Sequence, residues 1–197
     1  MARAPKSRTT YHHGDLRAAL VRAGIELVTR YGIRGFTMSQ AAKAASVAVS
    51  APYRHYADRD ALLAAIAEEG FKRLSERFES VAAGKDRLER LAAAYVGFAV
   101  EHPAHFRVMF DGQLDKTRYP TLEVAGAHAF GVLLGEAAAL AGPKASAARR
   151  ATATALLWSV IHGFAVIAIE EGFSRLEGGL SLDELLRRSV KQVAASM

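Results

Sequence analysis

The chain has 197 residues, enough for one or two domains with a substantial core, and its composition is that of an ordinary globular protein. Hydrophobic residues make up 51%, charged residues 23% and aromatic residues 8%, which excludes a collagen, a coiled-coil rod and a wholly disordered chain. The net charge is +6 and cysteine is absent, which excludes a disulfide scaffold and a thiolate metal site and suits a reducing, cytoplasmic setting. The basic segment 1–15 has no apolar core, so we expect no secretory signal.

Positive charge is concentrated in the first third of the chain. Residues 1–59 contain ten Lys or Arg against three Asp or Glu, a net of +7, while the remainder sums to −1. Such a segment is typical of a surface that binds a polyanion. A solvated basic surface explains the charge equally well, so charge alone leaves nucleic-acid binding open.

Apolar residues at helical spacing predict an all-helical chain, since the alternating runs typical of strands are missing. The first helix is predicted after Asp15, a favourable N-cap, and ends at Gly32 and Gly35. Asp58 is predicted to cap a long fourth helix over 59–82. Further helices are predicted at about 86–101, 103–110, 120–140, 145–171 and 181–195.

Two short helices between the first and the fourth have the spacing of a helix-turn-helix motif. Thr37 and Gln40 form a capping-box pattern that opens the second helix. A break at 46–48 separates it from a third helix, predicted near 49–55. In such a motif the second helix braces the third, whose exposed side chains enter the major groove of DNA.

The third helix offers small and basic side chains for base recognition. Ser50, Ala51 and Arg54 are expected to face DNA, with Ala51 against a thymine methyl group. Arg54 can reach a guanine edge or only a phosphate, and both remain open. Ala42 and Val47 are expected to hold the second and third helices together.

One apolar stretch has nearly the length of a membrane span. Residues 151–169 carry no formal charge over 19 positions. Because the stretch contains two threonines, a serine, a histidine and a glycine, and lacks an aromatic belt, we expect a buried helix and no membrane. A membrane-associated or scaffolding protein is the alternative hypothesis.

Small and aromatic residues recur in register through the helix-turn-helix region: Thr37, Ala41, Ala42, Ala45, Val47, Tyr53, His55, Tyr56, Arg59, Leu62 and Leu63. In this pattern, residues 12–75 resemble the DNA-binding domain of the TetR (tetracycline repressor-like) transcriptional regulators. Four positions depart from the family pattern. Ser46 replaces a usual glycine and Ala48 a usual serine cap, and two milder changes are Tyr56 for phenylalanine and Arg59 for lysine. We therefore expect a slightly strained turn and a less well capped third helix, at about 1 kcal/mol.

The resemblance implies an all-α fold with two domains. An N-terminal arm and three-helix helix-turn-helix domain (1–58) is joined by a long helix to a C-terminal helical domain (59–197) that binds an effector and dimerises. The candidate DNA-binding residues are Thr37, Lys43, Val49, Ser50, Ala51, Tyr53, Arg54, His55 and Arg59.

Several of these roles have an alternative. On the resemblance, Tyr53 and His55 donate to phosphate oxygens, and so does Arg59 at the positive end of the fourth helix. Tyr53 could instead be a core aromatic, and Lys43 is equally well explained as a surface lysine. A basic arm along the DNA, or a solvated tail, would contain Arg3, Lys6 and Arg8.

The C-terminal part is similar to one branch of the same family, whose C-terminal domain contains a Trp-His-Gly signature. Trp158, His162, Gly163 and the segment 102–110 carry this similarity. It implies a pocket for a small hydrophobic effector with His162 as a polar anchor, whereas the residues alone are equally consistent with a core. The candidate ligand-binding residues are Phe98, Phe106, Met109, Phe110, Phe130, Leu134, Trp158 and His162.

Neither a metal site nor an enzyme is expected. His102 and His105 could join other histidines as ligands, but Pro103 makes a shared helical face doubtful, so we expect ordinary histidines, no metal and no cofactor. The sequence lacks a nucleophile elbow, a phosphate loop, a zinc-binding His-Glu-x-x-His pattern and a dinucleotide glycine pattern.

The last two helices carry more apolar residues than one small domain needs. On the last helix these are Leu182, Leu185, Leu186, Val190 and Val193. Together with the helix at 145–171 they predict a two-fold homodimer, and hence a palindromic operator. The predicted function is a cytoplasmic transcriptional repressor that binds double-stranded DNA and is released by a small hydrophobic effector.

Overall fold

The computed structural model describes residues 13–111, 114–172 and 179–196. Within these ranges the chain is helical and has no strand, which confirms the all-α prediction. In chain order the α-helices are α1 (His13–Tyr31), α2 (Met38–Ala44), α3 (Arg59–Glu79), α4 (Arg87–Glu101), α5 (Pro103–Asp111), α6 (Pro120–Ala141), α7 (Ala147–Ile169) and α8 (Leu182–Ala195). Two 3₁₀ turns occur at Pro52–Arg54 and Lys116–Arg118.

Two compact units make up the chain, one ending at Leu63 and the other beginning at Ala64. The division falls inside α3, so this helix is continuous from one unit into the next. The boundary expected after residue 58 lies just before α3 begins. It stays a prediction.

In the first unit, α2 packs against α1 and is fixed at its N-terminus by a capping box. The Gln40 backbone N–H donates to the Thr37 hydroxyl at 3.3 Å, and the Thr37 N–H donates to the Gln40 side-chain oxygen at 2.8 Å. Both orphan donors at the helix start are thereby satisfied. The predicted capping box is confirmed.

The C-terminus of α2 closes with a Schellman motif. Val47 N–H donates to the Ala42 carbonyl at 3.0 Å, and Ser46 N–H donates to the Lys43 carbonyl, also at 3.0 Å. Ser46 has φ +57°, the left-handed conformation that glycine adopts without strain. The strained turn that Ser46 was expected to cause is therefore present, and Ala42 is linked to Val47 through the backbone.

Three sequence-based boundaries are corrected. The first helix begins at His13, so Asp15 lies inside it instead of capping it. The predicted third helix at 49–55 is only a 3₁₀ turn at Pro52–Arg54, because Pro52 has no N–H to donate to the preceding turn and Ala48 has no side chain that could cap. The fourth helix, α3, ends at Glu79 instead of residue 82.

Asp58 caps α3 as expected. Its side-chain oxygen accepts from the Ala61 N–H at 2.8 Å. The cap fixes where α3 begins, and hence where Arg59, its first residue, is placed.

The second unit is built around α7. This helix packs against α4, α6 and α8, and α4 also packs against α8 and α5. Large side chains from α3 and α4 fill the core of this unit. Phe71, Phe78, Tyr95 and Phe98 are at most 1% exposed. At about 25 cal/mol per Å² of apolar surface, this burial is the main stabilising contribution in the unit.

Replacing Ser46 with glycine is expected to stabilise the protein by about 0.5–1 kcal/mol. The left-handed conformation disfavours an L-residue by about 1–2 kcal/mol, and the greater freedom of glycine in the unfolded chain offsets part of the gain. Thermal unfolding followed by far-UV circular dichroism measures the change. Ser50→Gly is the control, since Ser50 has no positive φ, and an equal gain there would contradict the explanation.

Candidate nucleic-acid interface and effector cavity

The segment after α2 alternates buried anchors with exposed side chains. Pro52 and Tyr56 are buried, whereas Ser50, Tyr53 and Arg54 are exposed. Tyr53 is 54% exposed, so the alternative that it is a core aromatic is wrong. A short, anchored turn thus presents a phenol and a guanidinium to solvent.

The anchoring of this turn is local to the first unit. Tyr56 lies under the guanidinium of Arg17, 5.8 Å from the ring centroid, and its hydroxyl donates to the Arg17 carbonyl at 3.5 Å. His55 and Ala51 are half-buried between the exposed positions, and Val49 is exposed. The 3₁₀ turn is therefore held by its buried residues and not by a regular helix.

Arg59 is held at the N-terminus of α3. Its guanidinium donates to the Arg34 carbonyl at 3.4 Å and lies 3.5 Å from the Asp60 carboxylate. The first turn of a helix has unpaired N–H groups and a partial positive charge, which favour an anion. Arg59 therefore lies at a helix end whose partial charge favours an anion, where Asp58 already accepts from one N–H and Asp60 pairs with the guanidinium.

The remaining DNA-directed candidates lie on α2 or outside the described residues. Thr37 and Lys43 are exposed at the two ends of α2, where the first closes the capping box and the second adds positive charge to the last turn. Those structural roles account for both residues without a ligand. Arg3, Lys6 and Arg8 lie outside the described residues.

In the second unit, aromatic rings gather around His162. The ring centroids of Phe106, Phe110 and Trp158 lie 5.4, 4.8 and 5.1 Å from that of His162. The Tyr95 hydroxyl is 2.9 Å from His162 Nδ1. The structure therefore brings together His162, Trp158 and the α5 aromatics Phe106 and Phe110.

Burial keeps the Tyr95 phenol protonated. Desolvation raises the pKa of the Tyr95 phenol well above its ordinary value, an effect that Trp158 offsets in part. The phenol is thus neutral, and its hydroxyl shares a hydrogen bond with His162 Nδ1. Tyr95 was not among the candidate site residues, although a buried tyrosine hydroxyl generally needs a polar partner.

A separate apolar cavity of about 170 Å³ lies between α6 and α7. Its walls are Phe130, Leu133, Leu134, Thr154, Ala155, Leu157, Trp158 and Ile161. Three of the expected ligand-binding residues, Phe130, Leu134 and Trp158, line it. The others do not line it, namely Phe98, Phe106, Met109, Phe110 and His162.

Of the residues outside the cavity wall, Phe98, Phe106 and Met109 are packed in the core, whereas Phe110 and His162 are half-buried. Phe106 and Met109 are buried, and Phe98 has its ring 5.2 Å from that of His102. Helical periodicity identified their buried faces correctly. It could not show whether the space between those faces is filled by side chains or left open.

A wider groove of about 600 Å³ runs between α3 and α6, which the sequence did not indicate. Its rim contains ion pairs and hydrogen bonds. Glu68 accepts from Lys72 at 2.5 Å and from the Thr121 hydroxyl at 2.7 Å, and His128 lies 3.2 Å from Glu79. The groove is therefore polar at its edge, unlike the cavity between α6 and α7.

The histidines considered as metal ligands are dispersed. The rings of His102 and His105 are 5.7 Å apart, His128 pairs with Glu79, and His162 lies in the aromatic cluster. Across residues 13–111, 114–172 and 179–196, no three His, Asp or Glu side chains are grouped so as to hold a metal ion.

His105 is buried on α5 against the charged face of α3. Its Nε2 lies 3.6 Å from the Glu69 carboxylate, which also accepts from Arg73 at 2.9 Å. Burial lowers the pKa of His105 below its ordinary value, and Glu69 opposes this shift. The imidazole is therefore neutral when the protein is folded at neutral pH.

Two of the residues expected at a dimer interface are corrected. Leu186 and Val190 of α8 are 1% and 0% exposed within the single chain, so they belong to its own core and are not available to a partner. Leu182, Leu185 and Val193 remain half-exposed. Because only one side of α8 can pack on α4 and α7, its apolar residues divide between the core and the surface.

Helices α6 and α7 leave much of their apolar surface exposed. Both are long and apolar enough to cross a membrane by length and composition, with mean hydropathies of 1.5 and 1.8, yet core helices of water-soluble proteins pass the same criterion. On α7, Leu156, Val166 and Ile167 are exposed. A groove of about 430 Å³ between α7 and α8 includes Ile167 and Val193 in its walls.

Comparison with known families matches both units. Residues 20–66 match the family described as bacterial regulatory proteins, tetR family, and residues 88–193 match the tetracyclin repressor-like C-terminal domain. The second match alone spans more than half of the chain.

Individual relatives agree with these matches. An uncharacterized HTH-type transcriptional regulator, YobS of Bacillus subtilis (strain 168), is 28% identical over 167 residues, which are 83% of this chain and 84% of that protein. A protein of unknown function from Rhodococcus sp. RHA1 has a similar structure, with 27% identity, a TM-score of 0.75 and coverage of 96% and 99% of the two chains. The TetR family transcriptional regulator PfmR from Thermus thermophilus, at 17% identity, has the same fold, with a TM-score of 0.63 and coverage of 89% and 97%.

The free energy of unfolding is expected to fall as the pH drops below about 6.5, in part because of His105. With its pKa lowered in the folded state, the unfolded chain binds more protons there, so the stabilisation from neutral His105 is present above pH 6.5 and is lost on acidification. Urea unfolding at pH 7.5 and 5.5 measures this fall in the free energy of unfolding. The fall should be smaller in His105→Phe and His105→Gln than in the parent protein. The control His128→Gln should keep the full fall, and equal falls in all variants would contradict this role.

Proposed function

The chain belongs to the tetR family of bacterial regulatory proteins, as a DNA-binding transcriptional regulator, and we propose that it is a repressor released from a palindromic operator by a small hydrophobic effector. This family is one of regulators and not a class of enzymes. The observation that carries the proposal is the anchored turn at 50–56, which exposes Tyr53 and Arg54 within the segment that contains the excess positive charge.

The candidate DNA-binding residues are proposed to make two kinds of contact, with phosphates and with base edges. Tyr53, His55 and Arg59 are proposed to donate to phosphate oxygens, which fixes the register of the protein on the duplex. Ser50, Ala51 and Arg54 are proposed to reach base edges, and Arg54 can make a bidentate contact with guanine. Three further exposed residues are proposed to lie near the DNA beside this set: Thr37, Lys43 and Val49.

The second proposed partner is another copy of this chain. Exposed Ile167 of α7 lines the groove with α8, and Leu156 and Val166 are also exposed on α7. Burying these three residues against a two-fold copy would remove them from water. The half-exposed residues Leu182, Leu185 and Val193 remain on the α8 side. A two-fold dimer implies a palindromic operator.

Effector binding is proposed for the second unit, at the cavity beside Trp158. Trp158, His162 and Gly163 also support assignment to the branch of the family with a Trp-His-Gly signature, in which His162 would orient the ligand-binding helix through Tyr95.

Since α3 is continuous from the first unit into the second, we propose it as the element that transmits the effect of ligand binding to the DNA-binding residues. A coupling of about 1–3 kcal/mol changes operator affinity 5- to 150-fold. Because a regulator of this kind must reach chromosomal DNA, we propose that the protein is cytoplasmic.

Tyr53→Phe is expected to weaken binding to all DNA sequences alike, by about 1.5–3 kcal/mol, the value of a hydrogen bond to a charged group. Arg54→Ala is expected to relax preference at one position of each half-site by about 1–3 kcal/mol if the contact is bidentate to guanine. Selection of binding sequences with the purified protein supplies the operator, and fluorescence anisotropy across salt concentrations measures the affinities of operator variants.

Matched controls are available in the chain. Tyr31→Phe changes a tyrosine of α1 that is exposed to nearly the same extent, 53%, and Arg107→Ala removes an exposed arginine of the second unit. Both should bind the operator as the parent protein does. A uniform loss across operator variants for Arg54→Ala would reduce Arg54 to a backbone contact, and altered base preference for Tyr53→Phe would contradict its phosphate role.

Ile167→Glu is expected to convert the dimer to a monomer, because it places a charge in the proposed apolar interface. Sedimentation velocity reports the mass, and circular dichroism checks that the variant remains folded. Val124→Glu is the control, since Val124 is 69% exposed on α6 and lies away from the groove between α7 and α8. A dimeric Ile167→Glu protein would place the interface elsewhere.

A further inference from the structure

The cavity between α6 and α7 is closed at one end and open at the other. Leu133, Leu157 and Ile161 are buried and form its inner end. Leu134 and Ala155 are exposed and lie at its mouth. A ligand can therefore enter from solvent and come to rest against side chains that are removed from water.

The chemistry of the wall excludes a charged ligand group from the inner end of the cavity. No lining residue carries a charge, and only Thr154 and Trp158 have polar side-chain atoms. A carboxylate or an ammonium would lose its hydration in such a cavity without gaining an ion pair. The Phe130 and Trp158 rings, whose centroids are 5.5 Å apart at 63°, instead offer aromatic edges and faces to a third ring.

The volume limits the size of what enters. At about 170 Å³ it is close to that of an engineered cavity of about 150 Å³, lined by Leu, Ile and Phe in another protein, which stays dry and binds benzene. A fused-ring or long-chain molecule would need more room than the inner end provides.

From the size and the wall, we infer that the effector is an uncharged molecule that places a single aromatic ring in this cavity. The inference rests on the proposed function, since it specifies the chemical class of the effector at the same site. The wider groove between α3 and α6, with Glu68 and Lys72 at its rim, would suit a larger polar molecule instead. The cavity therefore suits a small uncharged ligand, whereas the groove suits a larger polar one.

Toluene and benzoate are the matched probes, because they have the same ring and differ in charge. Trp158 is the single tryptophan of the chain and lines the cavity, so its fluorescence reports occupancy directly. Toluene should change the Trp158 emission saturably in the full-length protein. At ten times its Kd, toluene should also raise Tm by about 3–6 °C. Benzoate at equal concentration should do neither.

A variant at the mouth tests the location. Ala155→Leu extends an exposed side chain across the opening without enlarging the buried core, and should weaken toluene binding at least tenfold. Ala151→Leu introduces the same change one turn earlier on α7, at an exposed position that does not line the cavity, and should bind toluene as the parent protein does. Equal binding by both variants, or binding of benzoate as tight as that of toluene, would overturn the inference.

Operator release is measured separately, by fluorescence anisotropy with and without toluene. Toluene that binds yet leaves operator affinity unchanged would refute the effector role of the cavity while its ligand class stands. Conversely, if toluene leaves the Trp158 emission unchanged and a larger or charged molecule releases the operator, the ligand class is wrong and the repressor function stands.

Discussion

The second unit depends on the burial of one narrow stripe of α7. Ala153, Leu157, Ile161 and Ala165 recur every four residues and are the buried residues of this helix. Small residues at the ends of the stripe allow close approach of neighbouring helices, and the larger residues in the middle fill the core. Leu157 and Ile161 of this stripe also line the cavity against α6, together with the flanking residues Thr154, Ala155 and Trp158. Another side of α7 lines the groove against α8.

A polar pair within this otherwise apolar packing constrains how α4 and α7 are oriented. Tyr95 of α4 and His162 of α7 satisfy each other, and a hydrogen bond of this kind depends on orientation in a way that apolar contact does not. The pair therefore sets the rotation of α7 relative to α4. Because Trp158 is one turn from His162 on the same helix, that rotation also decides which ring faces the cavity.

In the first unit, local capping and turn motifs determine where the short elements begin and end. A capping box at Thr37 and a Schellman motif at Ser46 delimit α2 from within its own sequence. Local chemistry also explains the departure from expectation at 49–55, where the motif spacing predicted a helix. Pro52 lacks the N–H that a regular helix would use, so the chain forms a 3₁₀ turn held by the buried side chains of Pro52 and Tyr56.

By itself, the sequence determined the order of the long helices, most of their boundaries, the capped start of α3 and the basic character of the first third. These properties depend on periodicity, caps and charge, which act over a few residues. Tertiary structure alone decided that Leu186 and Val190 are core residues while Val193 is not, and that Trp158 lines a cavity while Phe106 is packed. Spacing along a helix shows that residues share a face, but what covers that face depends on how distant segments of the chain fill space.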